Sequence, residues 1–594
     1  VLLDGDLHEV QRLPAPEGCL GLAVGHDGEV TVVGERASSV ARYRLVADRL
    51  VPDGTLELPG VRAMRDVAAG PEGAVYVVEE HDGRLITLWP SREGSRERRP
   101  AARRADEPLC HGPVHVLRTD ASVLVDCLID HAIVIRPVDA TGLPLAAGEV
   151  RIVHDGPMWG FAALPDGDGL LVAVGGVEDH PLDRREGSFG FIDSFVTLYR
   201  VHAGRAETLA VVNTSEKEVV TPKALSLARG PGGRVDLTVA AYGSARMAGV
   251  RWTPGEWATP AITTRAIPPG SVAIEPAGDG AFVLANPLLD AWVRAGDGDP
   301  AVVAVDDAAA GARSGPSRLG EALFFTTLLA PWDSSEGRLS RFTCETCHFE
   351  GYVDGRTHFT GRGEVHATTK PLLGLFNNRP HFSRALDPDM TTMVNNEFRV
   401  AGAKSGHDSW FSLAPRDFPW LGALGVRDES LEPAALRGAF MAFLMDFRPR
   451  PNPSALHRDH FTAEERAGAE VFRDRCESCH EARLVTDEPS TRVSFASWEA
   501  MVLSPAGPIV WAHDDYEMTG VVPYVNERGA RVPSLRRLYK KYPYFTNGSA
   551  KGLGAVLDRA AFAGGLFFHD DAPPGAVGLP DTEKAALAAF LDLL

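Results

Sequence analysis

GLAVGHDGEVTVVGE, residues 21–35, sets the pattern on which the first half of the chain is built. An apolar stretch, a Gly/Asp turn and a second apolar stretch rich in β-branched residues predict two tightly joined antiparallel strands. The arrangement returns in DVAAGPEGAVYVVEE (66–80), FAALPDGDGLLVAVGG (161–176), SLARGPGGRVDLTVAAYG (226–243) and VAIEPAGDGAFVLAN (272–286). HVLRTDASVLVDCLID (115–130) keeps the register without the glycine. Successive starts lie about 45–50 residues apart, a period with several short strands per unit that predicts β-propeller blades. Six repeats are visible, and the wider interval at 180–225 leaves room for a seventh blade or a long loop.

The whole chain has 594 residues, enough for two to four domains of roughly ordinary size. Its 44% hydrophobic and 24% charged residues are those of a globular protein. A net charge of −20 argues against nucleic acid or an anionic membrane as partner. No apolar run approaches the ~18 residues of a membrane span. The chain starts at Val1 in folded-looking sequence, so an exported protein would have lost its leader.

Character changes after residue 305. The small, polar run that begins DDAAAGARSG predicts a linker over 306–317, following a propeller at 1–305. Beyond it the expected fold is mainly α-helical and two-lobed. Helical spacing of apolar residues appears from Ala434, from Thr462 and in the tail DTEKAALAAFLDLL. RPRPNPSALHRDH (448–460), with three prolines, divides a first lobe at 318–450 from a second at 451–594.

Each lobe carries one C-x-x-C-H: Cys344, Cys347 and His348, then Cys476, Cys479 and His480. With seven cysteines and 19 histidines, chance supplies only about 0.003 such motifs per chain. In c-type cytochromes the two thiols bond a haem and the adjacent imidazole ligates its iron. A shared Cys₄ zinc site is disfavoured, because ~130 residues separate the pairs where ~15–20 are usual. Neither pair has the βαβ setting of a thioredoxin-like redox motif. Two covalent haems c are therefore expected, and with them a periplasmic location. Of the other cysteines, Cys110 and Cys127 are the easier disulfide partners, with three buried thiols the alternative.

The segments around the motifs resemble the bacterial di-haem cytochrome c peroxidase family, including its MauG branch. RLGEALFFTTLLAP (318–331) is similar to the family's lead-in to its first haem, and TAEERAGAEVFRDRCESCH (462–480) to the helix that delivers its second. VPSLRRLYKKYPYFTNGSAKGL (532–553) resembles a further family segment, and the tail also fits. The resemblance spans roughly 316–594.

It implies a division of labour. The first haem would offer hydrogen peroxide an accessible iron face, and the second would move electrons. The oxidising equivalents would be supplied by a donor protein or drawn from a partner's side chain, with the propeller as docking module. The resemblance makes His348 and His480 the proximal ligands. It sets HFSRALD (381–387) where the family carries its distal Gln, so His381 with Asp387 becomes the candidate acid–base pair, and Asp389 or Glu397 the alternative acids. His358 or His366 would be the residue to cap the first iron, although the Asp-Gly-Arg loop at 354–356 is that of the open MauG branch. The second haem's opposite ligand falls on Ala560 or Ala561, which cannot bind iron; Met518 is the preferred substitute, ahead of Tyr516, His513 and His569. Phe376 or Leu375 stands near the family's bridging tryptophan. A calcium ion between the lobes, held by backbone near Pro543, is also implied. A pure electron carrier with both irons fully ligated, and a sensor or scaffold without catalysis, are the rival readings.

Overall fold

The computed structural model describes the chain except residues 26–27, 91–97, 100, 178–191, 279, 306–312, 330–342, 361, 364, 401–409 and 488–490. It contains two compact units, one within residues 1–310 and the other within 311–594.

The first unit is built on six four-stranded antiparallel meanders taken in chain order, with a separate two-stranded ribbon, Leu2–Leu3 paired to Glu9–Gln11, ahead of them. Their first strands are Cys19–Val24, Met64–Ala69, Pro113–Arg118, Met158–Asp166, Pro222–Arg229 and Ala273–Pro276. These coincide with the six sequence repeats. The wide interval holds no seventh sheet among the described residues. Instead Ser194–His202 and Arg205–Asn213 complete the fourth sheet after the undescribed 178–191.

Period-2 alternation explains why the sheets stack. Val33, Val40 and Leu56 of the first sheet bury against Met64, Val77 and Leu88 of the second, and later pairs repeat the arrangement. Where first strands crowd together, glycine is required: a Cβ on Gly160 would stand 2.1 Å from the carbonyl oxygen of Lys223. The order and packing of these sheets are those of a β-propeller. Arg136 in the third sheet pairs with Glu107 and Glu149, and Cys110 and Cys127 form a disulfide. An extra short strand, Arg98–Arg99, joins the edge of the first sheet in parallel.

The second unit differs from the expected mainly helical domain. Its helices are short and are joined by long irregular stretches and small two- and three-stranded ribbons. They are α1 (Gly315–Phe325), α2 (Met390–Val400), α3 (Pro433–Asp446), α4 (Ala463–Arg475), α5 (Trp498–Val502), α6 (Leu553–Arg559) and α7 (Asp581–Leu591). Residues 306–312 of the expected linker lie outside the described residues. Its end is already helical, because Ser314 caps α1 and Pro316 suits the first turn.

Two helix pairs carry this unit, α1 on α3 and α4 on α7. Each crosses at a glycine. A Cβ on Gly320 would lie 2.0 Å from the Ala439 oxygen, and one on Gly468 would lie 1.9 Å from the Ala586 oxygen. Four residues on in each case, Phe324 and Phe472 enter aromatic clusters with Phe443 and Phe590. The arrangement Gly-x-x-x-Phe against Ala-x-x-x-Phe is thus present twice. A Thr462–Glu465 capping box starts α4, and Trp498, Trp511 and Phe590 complete the core around it.

Candidate functional site

Both C-x-x-C-H motifs begin as tight turns next to these helix pairs. Thr343 and Thr346 cap each other around Cys344, and the His348 amide donates to the Cys344 carbonyl at 2.9 Å. At the second motif the Cys476 amide ends α4 on the Phe472 carbonyl, and the His480 amide donates to Cys476 at 2.9 Å. The imidazoles take equivalent places: His348 lies 6.2 Å from the Phe324 ring and His480 lies 6.3 Å from that of Phe472. Burial pushes His348 down to about 4 and His480 to about 3. Both are therefore neutral at physiological pH, the form in which imidazole binds a metal.

Each motif faces its own cavity. Cys344, Cys347 and His348 line one of 510 Å³, and Cys476, Cys479 and His480 line one of 190 Å³. Both are walled chiefly by apolar side chains, as a planar hydrophobic cofactor requires.

The second cavity is closed by a histidine. The ring of His569 stands 6.5 Å from that of His480, centre to centre. Two metal–nitrogen bonds of ~2 Å and about 1.1 Å from each ring centre to its nitrogen add up to ~6.2 Å, so one metal ion between the rings fits. His569 is fixed by its amide on the Thr519 carbonyl at 2.7 Å and by contacts with Phe545 and Phe567, while its Nδ1 is enclosed without a partner. Burial holds it neutral, at about 4. Met518 does not take this role: it is 57% exposed and outside the cavity lining. Tyr516 turns its hydroxyl to the Arg384 carbonyl, and His513 is not on the lining. Ala560 lines the cavity and offers it only a methyl group.

The first cavity is different. No imidazole meets the His348 ring across it, among the described residues. His381 and Asp387 both reach its wall, and His381 is only 3% exposed. Their link runs through the backbone: the His381 amide donates to the Asp387 carbonyl at 2.7 Å. The Asp387 carboxylate instead accepts from Asn396, and His381 Nε2 is enclosed without a partner. The pair is therefore two neighbours in one wall rather than a hydrogen-bonded acid–base couple. Burial, then Arg531, pushes His381 down to about 4, and burial raises Asp387. Asp389 is committed to the start of α2, accepting from the Thr392 amide. The side chain of Glu397 lies outside the described residues.

His358 does not face His348 as a cap. It sits beside Cys347 and bonds Asp354 at 2.8 Å. Burial opposes its charge, yet Cys347 and Asp354 hold it up at about 10. Arg356, His358 and Thr369 all converge on Asp354, so this Cys–Asp–His group is internally paired. His366 packs on Phe359 and is off the cavity lining.

Between the cavities stand Thr368, Thr369, Lys370, Pro371 and Arg531, which line both. Leu375 lines only the first and Phe376 neither, so neither is the partition expected from the sequence.

No family model and no curated protein matches the chain. Among solved structures, hydrazine synthase of Kuenenia stuttgartiensis is 14% identical, with a TM-score of 0.35 over 48% of this chain and 84% of its own. A streptogramin B lyase gives 14%, 0.35, 50% and 87%. Virginiamycin B lyase from Staphylococcus aureus gives 10%, 0.34, 49% and 85%.

Proposed function

We propose that the second unit is a di-haem cytochrome c domain of the peroxidase/MauG type, and that the protein is a periplasmic oxidoreductase reacting with hydrogen peroxide. What supports the reading above all is the asymmetry of two equivalent motifs: His480 faces His569 across a narrow cavity, whereas His348 faces a wide one with polar groups on its wall. Cys344, Cys347 and His348 would hold one haem, and Cys476, Cys479, His480 and His569 the other. When bound, haem c supplies one-electron chemistry and, at an iron with an open face, the reduction of peroxide.

The residues' own part follows from the geometry. His569 excludes a small oxidant from the second site. His381, neutral and with a free Nε2, can accept a proton in the first. Asp387, raised by burial and held by Asn396, is a second titratable group on the same wall. A donor protein or an oxidised protein side chain would complete the reaction, with the propeller as the docking unit and a calcium ion near Pro543 as part of the same reading. The disulfide Cys110–Cys127 favours an oxidising compartment. No helix among the described residues is long and apolar enough to cross a membrane.

The test is spectroscopic. Protein matured with a c-haem attachment system should carry two haems per chain, one low-spin and one high-spin in the oxidised state. Peroxide should perturb the high-spin signal, and His381→Ala should slow that reaction about 10²-fold, the lower end for loss of a general base. Absence of haem would remove the reading. Two low-spin signals and no reaction with peroxide would leave the electron carrier.

A further inference from the structure

Three cations gather at the partition between the two cavities. Lys370 and Arg531 line both, and Lys541 lines the second. Arg531 is 6% exposed and donates to the carbonyl and the Oδ1 of Asn378. Lys370 Nζ donates to Thr368 Oγ1 at 3.2 Å. Among the described residues no carboxylate forms an ion pair with any of the three. The nearby acids are committed elsewhere: Asp387 to Asn396, Asp354 to its own loop, and Glu517 to a place beside Cys479.

Buried charge without a counter-ion is costly. Burial lowers Lys370 to about 7 and Arg531 to about 10, and it pushes Lys541 well below its usual range, with Lys370 and Arg531 adding repulsion. Three cations in one apolar wall need an anion that enters from the cavities. Elsewhere in this chain some buried arginines are matched: Arg42 by Glu29, and Arg483 by Glu481. Arg536 and Arg537, also buried, rest instead on the backbone carbonyls of Ala506 and Arg450; what sets the partition apart is that its three cations line cavities an anion can enter.

We propose that Lys370, Arg531 and Lys541 form an anion-binding wall shared by the two cavities, and that its ligands are the propionate carboxylates of the two haems. This rests on the reading of two covalent haems. The wall then does two things. It orients each cofactor with its acidic edge at the partition, opposite the thioether edge fixed by the motif. It also makes one set of positive charges common to both irons, so a change of charge at one haem is felt at the other. These three are positioning residues and do not touch reacting atoms.

The test uses full-length holo-protein, with Lys541→Met, Lys370→Met and the charge-keeping Lys541→Arg. Haem content by pyridine haemochrome is measured first: a wild type without two haems would sink the haem reading and leave the wall untouched as an anion site. With two haems present, spectroelectrochemical titration is the readout. Removing a cation near a carboxylate-bearing cofactor favours the oxidised form. Each Met variant should shift the oxidised-to-reduced ratio at fixed potential about tenfold, which is 59 mV downward for one electron, and Lys370→Met should move both haems. Lys541→Arg should restore the wild-type value. If a Met variant does not mature, Lys541→Arg against Lys541→Gln gives the same comparison. Midpoints unchanged in both Met variants would overturn the proposal. So would wild-type midpoints that move with added phosphate at constant ionic strength and lose that response in Lys541→Met, because the anion would then be diffusible.

Discussion

At the scale of single residues, the chemistry divides into what lies close in sequence and what does not. The two C-x-x-C-H motifs are legible because five adjacent residues carry the whole signal. His569 is legible only as one substitute ranked behind Met518, because FFHDD lies far downstream with no spacing relation to His480. Only the fold brings their rings to 6.5 Å. The signal that would have ranked it above Met518 is modest, a lone histidine among phenylalanines. On the proposed di-haem reading, His569→Ala should convert the second haem from low-spin to high-spin in EPR without loss of covalent haem, whereas Met518→Ala should leave both signals unchanged. A different residue test concerns the propeller. Asp126 is fully buried, and neither carboxylate oxygen has a hydrogen-bond partner among the described residues. Burial raises it to about 7. Because the folded-state pKa is the higher one, its contribution is favourable in acid and is lost as pH rises from about 4 through 7. Asp126→Asn should therefore flatten the pH dependence of the propeller's melting and stabilise it above pH 7, by up to a few kcal/mol at about 1.4 per pKa unit. His115 across the strand, itself held by Asp66, is the one neighbouring charge that offsets this penalty.

At the scale of elements, helices were read from apolar spacing, and α3, α4 and α7 lie where that spacing put them. The start of α1 fell inside an expected linker, since small residues read as a loop unless a cap is seen; Ser314 followed by Gly-Pro was that cap. The glycines were harder to read. Gly320 and Gly468 look like breaks in a helical pattern, but each is the point where two helices touch backbone to backbone. A methyl group there must push the partner helix away. Gly468→Ala should cost about 1–3 kcal/mol in denaturant unfolding, and Gly320→Ala a similar amount. Substitution of Gly554, whose Cβ would meet nothing within 4 Å, should lack this effect.

For the whole molecule, the repeats at the N-terminal half were legible because each blade restates the same period, and the sequence needed no knowledge of distant contacts. The cavity partition was not legible, because Thr368–Pro371 and Arg531 come from segments far apart in the chain. Two units with separate cores predict two calorimetric transitions. Protein produced without haem attachment should keep the propeller's transition and lose or lower the other, since its core would then enclose cavities of 510 and 190 Å³.

The meander order of the six sheets bears on how the chain is made. Every four-stranded blade is drawn from one continuous stretch of chain, and among the described residues only the short Arg98–Arg99 strand returns to an earlier sheet. Loops closed during synthesis are therefore short, and a blade need not wait for residues hundreds of positions away. The cysteines at 110 and 127, separated by 17 residues, are ready to join as soon as the second strand of the third sheet has emerged. A ribosome or a secretion pore delivering this chain would release a row of finished blades, each a surface on which the next can assemble.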